Sequence, residues 1–368
     1  MEGQFMQTSN VQSSSQSSRF ADCLLGWFDV FGRHDLPWQH PKSPYSVWVS
    51  EIMLQQTQVQ TVISYFERFM LAFPTVQDLA AASQDDVLSH WAGLGYYARG
   101  RNLHKAARII ISEHDGEFPS HFDEIVSLPG IGRSTAAAIL SIAFKQKYAI
   151  LDGNVKRVLS RYDAIDQWPG EKQTEAKLWH RAEVLMQTER ADDYTQAIMD
   201  LGATICRRSK PLCAECPVKA GCQALKADKV GAYPVSKPKT EKPTRQVVML
   251  LALDGEQIFL QKRPQTGIWG GLWSLPQFDN EAQLSAVLPQ TGEQSVLETL
   301  PEFKHSFTHY HLIIQPRMVE ADAKAWALAG QWMNLSQALE MGLPAPIRKL
   351  IEKTESKHVK NGQLCKNG

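Results

Sequence analysis

Between about residues 20 and 225 the apolar positions recur at the three- and four-residue spacing of amphipathic helices. The pattern is clearest over 20–31, 47–69 and 135–144, and proline or glycine separates one run from the next. This pattern predicts a mainly α-helical domain over 20–225. The stretch 232–245, rich in proline and lysine with almost nothing apolar, has the makeup of an extended linker, placed here at 226–245. Beyond it the period changes. Residues 246–253, 257–262 and 303–319 are β-branched, aromatic or alternating, which predicts a smaller α+β domain over 246–352. The polar, serine-rich residues 1–19 and the lysine- and asparagine-rich residues 353–368 read as a disordered and a flexible tail. No internal repeat is visible.

Composition narrows the class. At 43% hydrophobic and 21% charged the chain is an ordinary globular sequence, and no run approaches the ~18 apolar residues of a membrane span. The first residues have neither the basic start nor the apolar stretch of a secretory signal, so a cytoplasmic protein is expected. The net charge of zero gives no overall pull toward nucleic acid, but residues 205–245 hold ten Lys or Arg against three Asp or Glu. Alone, such a run is usually solvated surface. Six cysteines are too few for a disulfide scaffold, and four of them crowd into 206–222, which favours a metal centre. Cys206, Cys213, Cys216 and Cys222 are separated by six, two and five residues. A zinc ribbon normally pairs two C-x-x-C knuckles, whereas here there is one; thiolate-only ligation equally suits a [4Fe–4S] cluster, though not at ferredoxin spacing. Both metals stay open on chemistry alone.

Two carboxylates stand isolated. Glu51 is the only charge between Lys42 and Glu67, with Gln55 and Gln58 at helical spacing from it, and Asp152 is the only charge between Lys147 and Lys156. A desolvated Glu has a raised pKa and suits a general acid, while a structural, hydrogen-bonded Glu is an equal alternative. Asp152 precedes a predicted helix and reads as an N-cap, a role compatible with facing a sugar that develops positive charge. Gly130 and Gly132, in Leu128-Pro129-Gly130-Ile131-Gly132, permit a tight turn before the small-residue helix that starts at Arg133 and Ser134. The N–H groups opening that helix suit a DNA phosphate; an isolated G-x-G is more often a plain corner between helices.

These segments occur in a familiar order. SEIMLQQTQV around Glu51, GLGYYARGRNL at 93–103, LPGIGRSTAAAI at 128–139, LDGNVKRVL at 151–159 and the cysteine cluster together resemble the helix-hairpin-helix glycosylase superfamily. Within it the closest resemblance is to the MutY-type adenine DNA glycosylases, and it covers roughly residues 20–320. The resemblance implies an enzyme that flips adenine out of double-stranded DNA, from mispairs with 8-oxoguanine or guanine, and hydrolyses its N-glycosidic bond. It implies Glu51 as general acid, Asp152 as the carboxylate beside the sugar, and the four cysteines as ligands of one [4Fe–4S] cluster. It also implies DNA contacts by Gln56, Thr57, Leu94, Tyr96, Gly130, Gly132, Arg133, Ser134, Asn154 and Lys156, in a monomer working in the cytoplasm at the nucleoid.

Two departures sharpen the picture. Endonuclease-III-type relatives carry a nucleophilic lysine where this chain has Ser134, so base removal without an efficient lyase step is expected, with Lys156 a source of weak side reaction. The segment WGGLWSLPQF at 269–278 resembles the entry of a Nudix fold, but the clustered glutamates that hold magnesium are missing: Asp279, Glu281 and Glu293 are scattered. The resemblance therefore implies a non-hydrolytic recognition module whose Thr308, where the family often has Ser, contacts the oxidised guanine. Histidines 305, 309 and 311 alternate on a predicted strand, where such residues usually divide between surface and core. The competing readings are a bifunctional endonuclease-III-like glycosylase/lyase, a nucleotide hydrolase, and a non-catalytic iron–sulfur DNA-binding protein. The first is opposed by Ser134, the second by the missing glutamates, and the third leaves Glu51 unexplained.

Overall fold

The structure, a computed structural model, describes residues 5–238, 241–288 and 297–364. The chain divides into two compact units, residues 1–80 with 105–239, and residues 81–104 with 240–368.

The first unit is helical. It contains α1 (Phe5–Phe31), α2 (Pro44–Leu54), α3 (Val59–Ala72) and most of α4 (Val76–Ala81). After α5 (Gln84–Trp91) and the start of α6 (Ala98–Glu113), which belong to the other unit, come α7 (Phe122–Ser127), α8 (Arg133–Phe144), α9 (Gly153–Tyr162), α10 (Lys172–Leu185), α11 (Ala191–Asp200) and α12 (Gln223–Lys226). The centre is α8. Its residues Thr135–Ile142 are all buried, and alanines there let α2 and α11 pack against it. A helix buried all round must be apolar all round, which is why α8 shows little amphipathic pattern. At its foot α2 is set by Ser43, whose Oγ accepts the Ser46 N–H at 3.0 Å, with Pro44 at the first helical position.

The second unit is built on a mixed sheet. Strand β1 (Thr244–Asp254) runs parallel to β7 (His311–Glu320) over ten residues and antiparallel to β2 (Gln257–Lys262) and β4 (Gln277–Phe278). Short strands β3 (Trp273–Ser274) and β8 (Gln331–Asn334) pair with β2, while β5 (Glu298–Thr299) and β6 (Phe303–Ser306) pair with β7. Residues 247–253 of β1 are buried without interruption, as expected of a central strand covered on both faces. Val248, Leu250, Ala252, Phe259, Leu284 and Val319 form the core, closed by α13 (Glu281–Val287), with α14 (Leu335–Glu340) and α15 (Ala345–Leu364) following. No helix among the described residues is long and apolar enough to cross a membrane.

The structure departs from the sequence expectations at several places. Residues 5–19, expected as a disordered tail, continue α1, and residues 353–364 continue α15. In each case a packed segment, at Phe20 and Leu24 or at Ile347 and Ile351, nucleates the helix, and each further residue adds a hydrogen bond at little cost. The predicted single run over 47–69 is two helices, broken at 55–58 where four polar residues offer nothing to bury and Gln56 takes a left-handed φ of 58°. The start of the predicted linker is folded: Val230 lines the cavity of the cysteine loop and the Tyr233 carbonyl accepts the Arg161 Nε–H at 3.0 Å. In space, residues 81–104 group with residues 240–368. Glu293 lies outside the described residues.

Candidate active site

The two isolated carboxylates meet. Glu51, from the last turns of α2, and Asp152, from the turn before α9, line one cavity of about 280 Å³ in the first unit, together with Ser134, Asn154, Gln55 and Thr57. That volume is near the lower end of the ~300–1,000 Å³ common for small-molecule sites, so the space suits one base or sugar, not a duplex. Asp152 caps α9 as expected, its Oδ1 accepting the Val155 N–H at 2.8 Å. Ser134 holds the same turn from the other side, its Oγ accepting the Leu151 N–H at 3.1 Å, so α8 and α9 are tied at the cavity wall. Gln55 donates from Nε2 to Thr135 Oγ1 at 3.3 Å.

The electrostatics separate the two acids from bulk behaviour. Burial pushes the Glu51 carboxyl up to about 8, and the Asp152 charge adds to the rise. Burial also pushes Asp152 up, against the opposing pull of the Val155 and Asn154 N–H groups, the Arg157 charge and the Asn154 side chain. A pair so placed takes up one shared proton more readily than either acid would alone.

Sequence reasoning missed a third carboxylate, buried behind the wall. Asp200, at the end of α11, is buried with 1% of its side chain exposed, and it is neutralised by Arg33, which donates from Nε at 2.9 Å and Nη2 at 2.5 Å to Oδ1. The Arg33 N–H and Gln196 Nε2 complete its shell at 2.7 and 2.8 Å. Arg33 and Gln196 both line the cavity. The signal that exposed Glu51 was present here too, since Asp200 is the only charge between Asp193 and Arg207.

The four cysteines line a second cavity in the same unit, flanked by Ile205, Pro211, Leu225 and Val230. None of the described ones is disulfide-bonded, and among the described residues no three His, Cys, Asp or Glu close on the position of a single ion. Four thiols that line one cavity are a donor set suited to a thiolate-ligated metal group. Burial pushes the Cys216 thiol up to about 12, and it pushes the Cys222 thiol up as well. The loop is held from α9: Arg157 donates to the Cys206 carbonyl at 2.8 Å, the Gly202 carbonyl at 2.7 Å and Asn154 Oδ1 at 2.8 Å, and Arg161 donates to the Arg207 carbonyl at 2.8 Å.

Other sequence-predicted residues lie outside this cavity. Gly130 has φ 82°, which explains its glycine, while Gly132 is extended and a Cβ there would meet nothing within 4 Å, leaving the opening of α8 approachable. Arg133 stacks over Trp179 at 3.9 Å and pairs with Glu183 at 2.6 Å on the surface. Lys156 does not line the cavity and its Nζ pairs with Glu175 at 2.6 Å. Gln56 is exposed. In the second unit Tyr96 is 50% exposed, but Leu94, expected to contact DNA, is only 6% exposed and packs inward from its loop. Thr308 sits exposed in the bend between β6 and β7, where the Phe307 N–H donates to the Tyr310 carbonyl at 2.9 Å. Of the three histidines, His305 packs on Trp269 and Phe307, His311 shares a hydrogen bond with Ser306 at 2.9 Å, and His309 faces solvent.

Residues 49–183 match the HhH-GPD superfamily of base excision DNA repair proteins, and residues 247–353 match the NUDIX domain. The chain is 38% identical to the adenine DNA glycosylase of Buchnera aphidicola (subsp. Acyrthosiphon pisum) over 338 residues, 90% of this chain and 97% of that protein. It is 36% identical to the adenine DNA glycosylase of Homo sapiens, over 82% of this chain and 67% of that one. Among solved structures, a thermostable thymine-DNA glycosylase aligns with TM-score 0.53 at 27% identity, covering 58% of this chain and 98% of its own.

Proposed function

This chain belongs to the adenine DNA glycosylase family of base excision repair, and from that premise we propose that it removes adenine lying opposite 8-oxoguanine, or guanine, by hydrolysis alone. Its partner is DNA. The observation that carries the proposal is the pairing of Glu51 and Asp152 across one small cavity, with the Glu51 carboxyl raised to about 8. A glutamic acid still protonated at neutral pH can deliver its proton to a ring nitrogen of a flipped adenine. The N-glycosidic bond then breaks with its electron pair leaving on the neutralised base, and the positive charge left on the sugar faces Asp152. The Glu51 carboxylate, now deprotonated, takes a proton from the water that attacks the sugar carbon and returns to its starting state.

Hydrolysis without strand cleavage is supported by which amines are absent from the wall. Ser134 stands where a lyase lysine would be, and its hydroxyl is engaged with the Leu151 N–H. Lys156 is held outside the cavity by Glu175. The opening of α8, with Gly130, Gly132, Arg133 and Ser134, is the proposed phosphate clamp, because its first N–H groups have no side-chain cap. Gln56, Thr57, Tyr96 and Thr308 are the proposed contacts around the mispair, and Asn154 orients Asp152. Cys206, Cys213, Cys216 and Cys222 would hold one [4Fe–4S] cluster, which when bound supplies charge compensation and a four-point cross-link for the loop. Arg157 and Arg161 tie that loop to α9. The enzyme is proposed to act as a monomer on DNA in the cytoplasm.

The test is single-turnover cleavage of a duplex with one adenine opposite 8-oxoguanine, against the same adenine opposite thymine, with and without hot alkali. Breaks at the mispaired adenine that require alkali support the proposal. Breaks without alkali would instead assign a lyase amine to this chain.

A further inference from the structure

The segment 81–104 lies within the helical family match in sequence but groups with the C-terminal unit in space. It is anchored at several points. Tyr97 donates its buried hydroxyl to the Leu343 carbonyl at 2.9 Å, and Arg101 donates from Nη1 to the Gly270 carbonyl at 2.5 Å. Lys262 pairs with Asp85 at 2.6 Å, and Gln84 donates to Gln265 Oε1 at 3.1 Å. Contact is close enough that a Cβ on Gly271 would lie 2.9 Å from Gln84 Nε2 and 3.4 Å from Arg101 Cδ. Gly271 also has φ 74°.

Between these anchors the backbone enters the left-handed region at 93, 95 and 96. Gly93 has φ 103°, Gly95 70° and Tyr96 48°, and a left-handed tyrosine persists only where its surroundings impose it. Arg99 does so: it is 9% exposed, donates to the Leu94 and Gly95 carbonyls at 3.1 and 3.2 Å, and lies over the Trp91 and Tyr96 rings. The half-exposed Tyr96 ring is thus fixed to the same body that carries the exposed Thr308 turn.

We propose that residues 93–96 are a working part of the recognition unit, and that Tyr97 and Arg101 are positioning residues that hold Tyr96 in register with Thr308, so that opposite-base discrimination depends on the two anchors. This rests on the reading of Tyr96 and Thr308 as contacts around the mispair. Neither anchor touches the catalytic cavity, so their loss acts on discrimination and leaves the chemistry in place.

Tyr97→Phe removes one hydroxyl, and Arg101→Lys, a second variant, removes the fixed guanidinium fork while keeping the charge. Single-turnover rates of the full-length, cluster-loaded protein are measured on adenine opposite 8-oxoguanine and opposite guanine, with amide hydrogen exchange across 93–96 as an independent readout. The expected result is a roughly tenfold fall in the ratio of the two rates, the rate opposite guanine unchanged within about twofold, and exchange at 93–96 faster by about tenfold or more. Equal falls on both substrates would make the anchors merely structural and overturn the proposal. An unchanged ratio in both variants, where Tyr96→Ala lowers it, overturns the proposal but spares the underlying reading. An unchanged ratio in Tyr96→Ala and Thr308→Ala as well overturns that reading itself.

Discussion

The cavity of the first unit and the exposed loops of the second solve opposite problems. In the cavity, Glu51 and Asp152 are carboxylates withdrawn from water, and burial itself sets their chemistry, while Asp200 is buried behind the wall in the grip of Arg33 and Gln196. On the second unit, Tyr96 and Thr308 stand in solvent, and their placement comes from backbone held in the left-handed region or in a tight bend. Burial tunes a pKa but hides a group from a large partner; exposure offers contact but no tuning. The proposed division between cutting and reading rests on that contrast.

The largest effect expected to separate the two regions is that of Glu51→Gln. Loss of the general acid should slow adenine removal by about 10³-fold with duplex binding retained. The same change should stabilise the fold. A carboxyl raised from 4.5 to about 8 takes up protons on folding, so wild-type stability declines as pH rises through that window. The variant should lack this decline and gain on the order of 2–3 kcal/mol at pH 7 in urea unfolding. A variant less stable than wild type at that pH would break the claim that burial, and not a structural hydrogen bond, defines Glu51.

Smaller but still large is Arg33→Met, which strands Asp200 without its cation. Removing one partner of a buried pair costs about 3–5 kcal/mol, with a smaller cost expected here because Arg33 is partly exposed. Urea unfolding should show a loss of about 2–3 kcal/mol, largely restored in Arg33→Met combined with Asp200→Asn. The smallest effect should be Thr308→Ala, an exposed group with no part in the fold. It should leave stability unchanged and cost about 1 kcal/mol, a few-fold in binding to the 8-oxoguanine mispair relative to a guanine mispair, by competition titration.

How far the sequence foretold this depends on the range of the interaction. Glu51 and Asp152 were legible because each is alone in a neutral stretch, and Asp200 met the same criterion unnoticed. The cysteines were legible by spacing, and β1 by its apolar run. What escaped is decided by contacts distant in sequence. Nothing local marks 81–104 as part of the second unit, since its anchors at Gly270 and Leu343 lie 169 and 246 residues from their partners. Nor does Leu94 differ by type from a leucine that could enter a base stack; only its 6% exposure shows that it packs inward. The break at Gln56 carries no glycine or proline, so its left-handed turn could not be read beforehand.

The central claim is that Glu51 is the acid and stays protonated at neutral pH, and the most direct measurement is the single-turnover rate of adenine release from pH 5 to 10 on a fixed 8-oxoguanine duplex. Because the working form is the protonated one, the account predicts that the rate is sustained below about 8 and falls tenfold per pH unit above it. A rate that stays level through pH 9, or one that rises there, would contradict it.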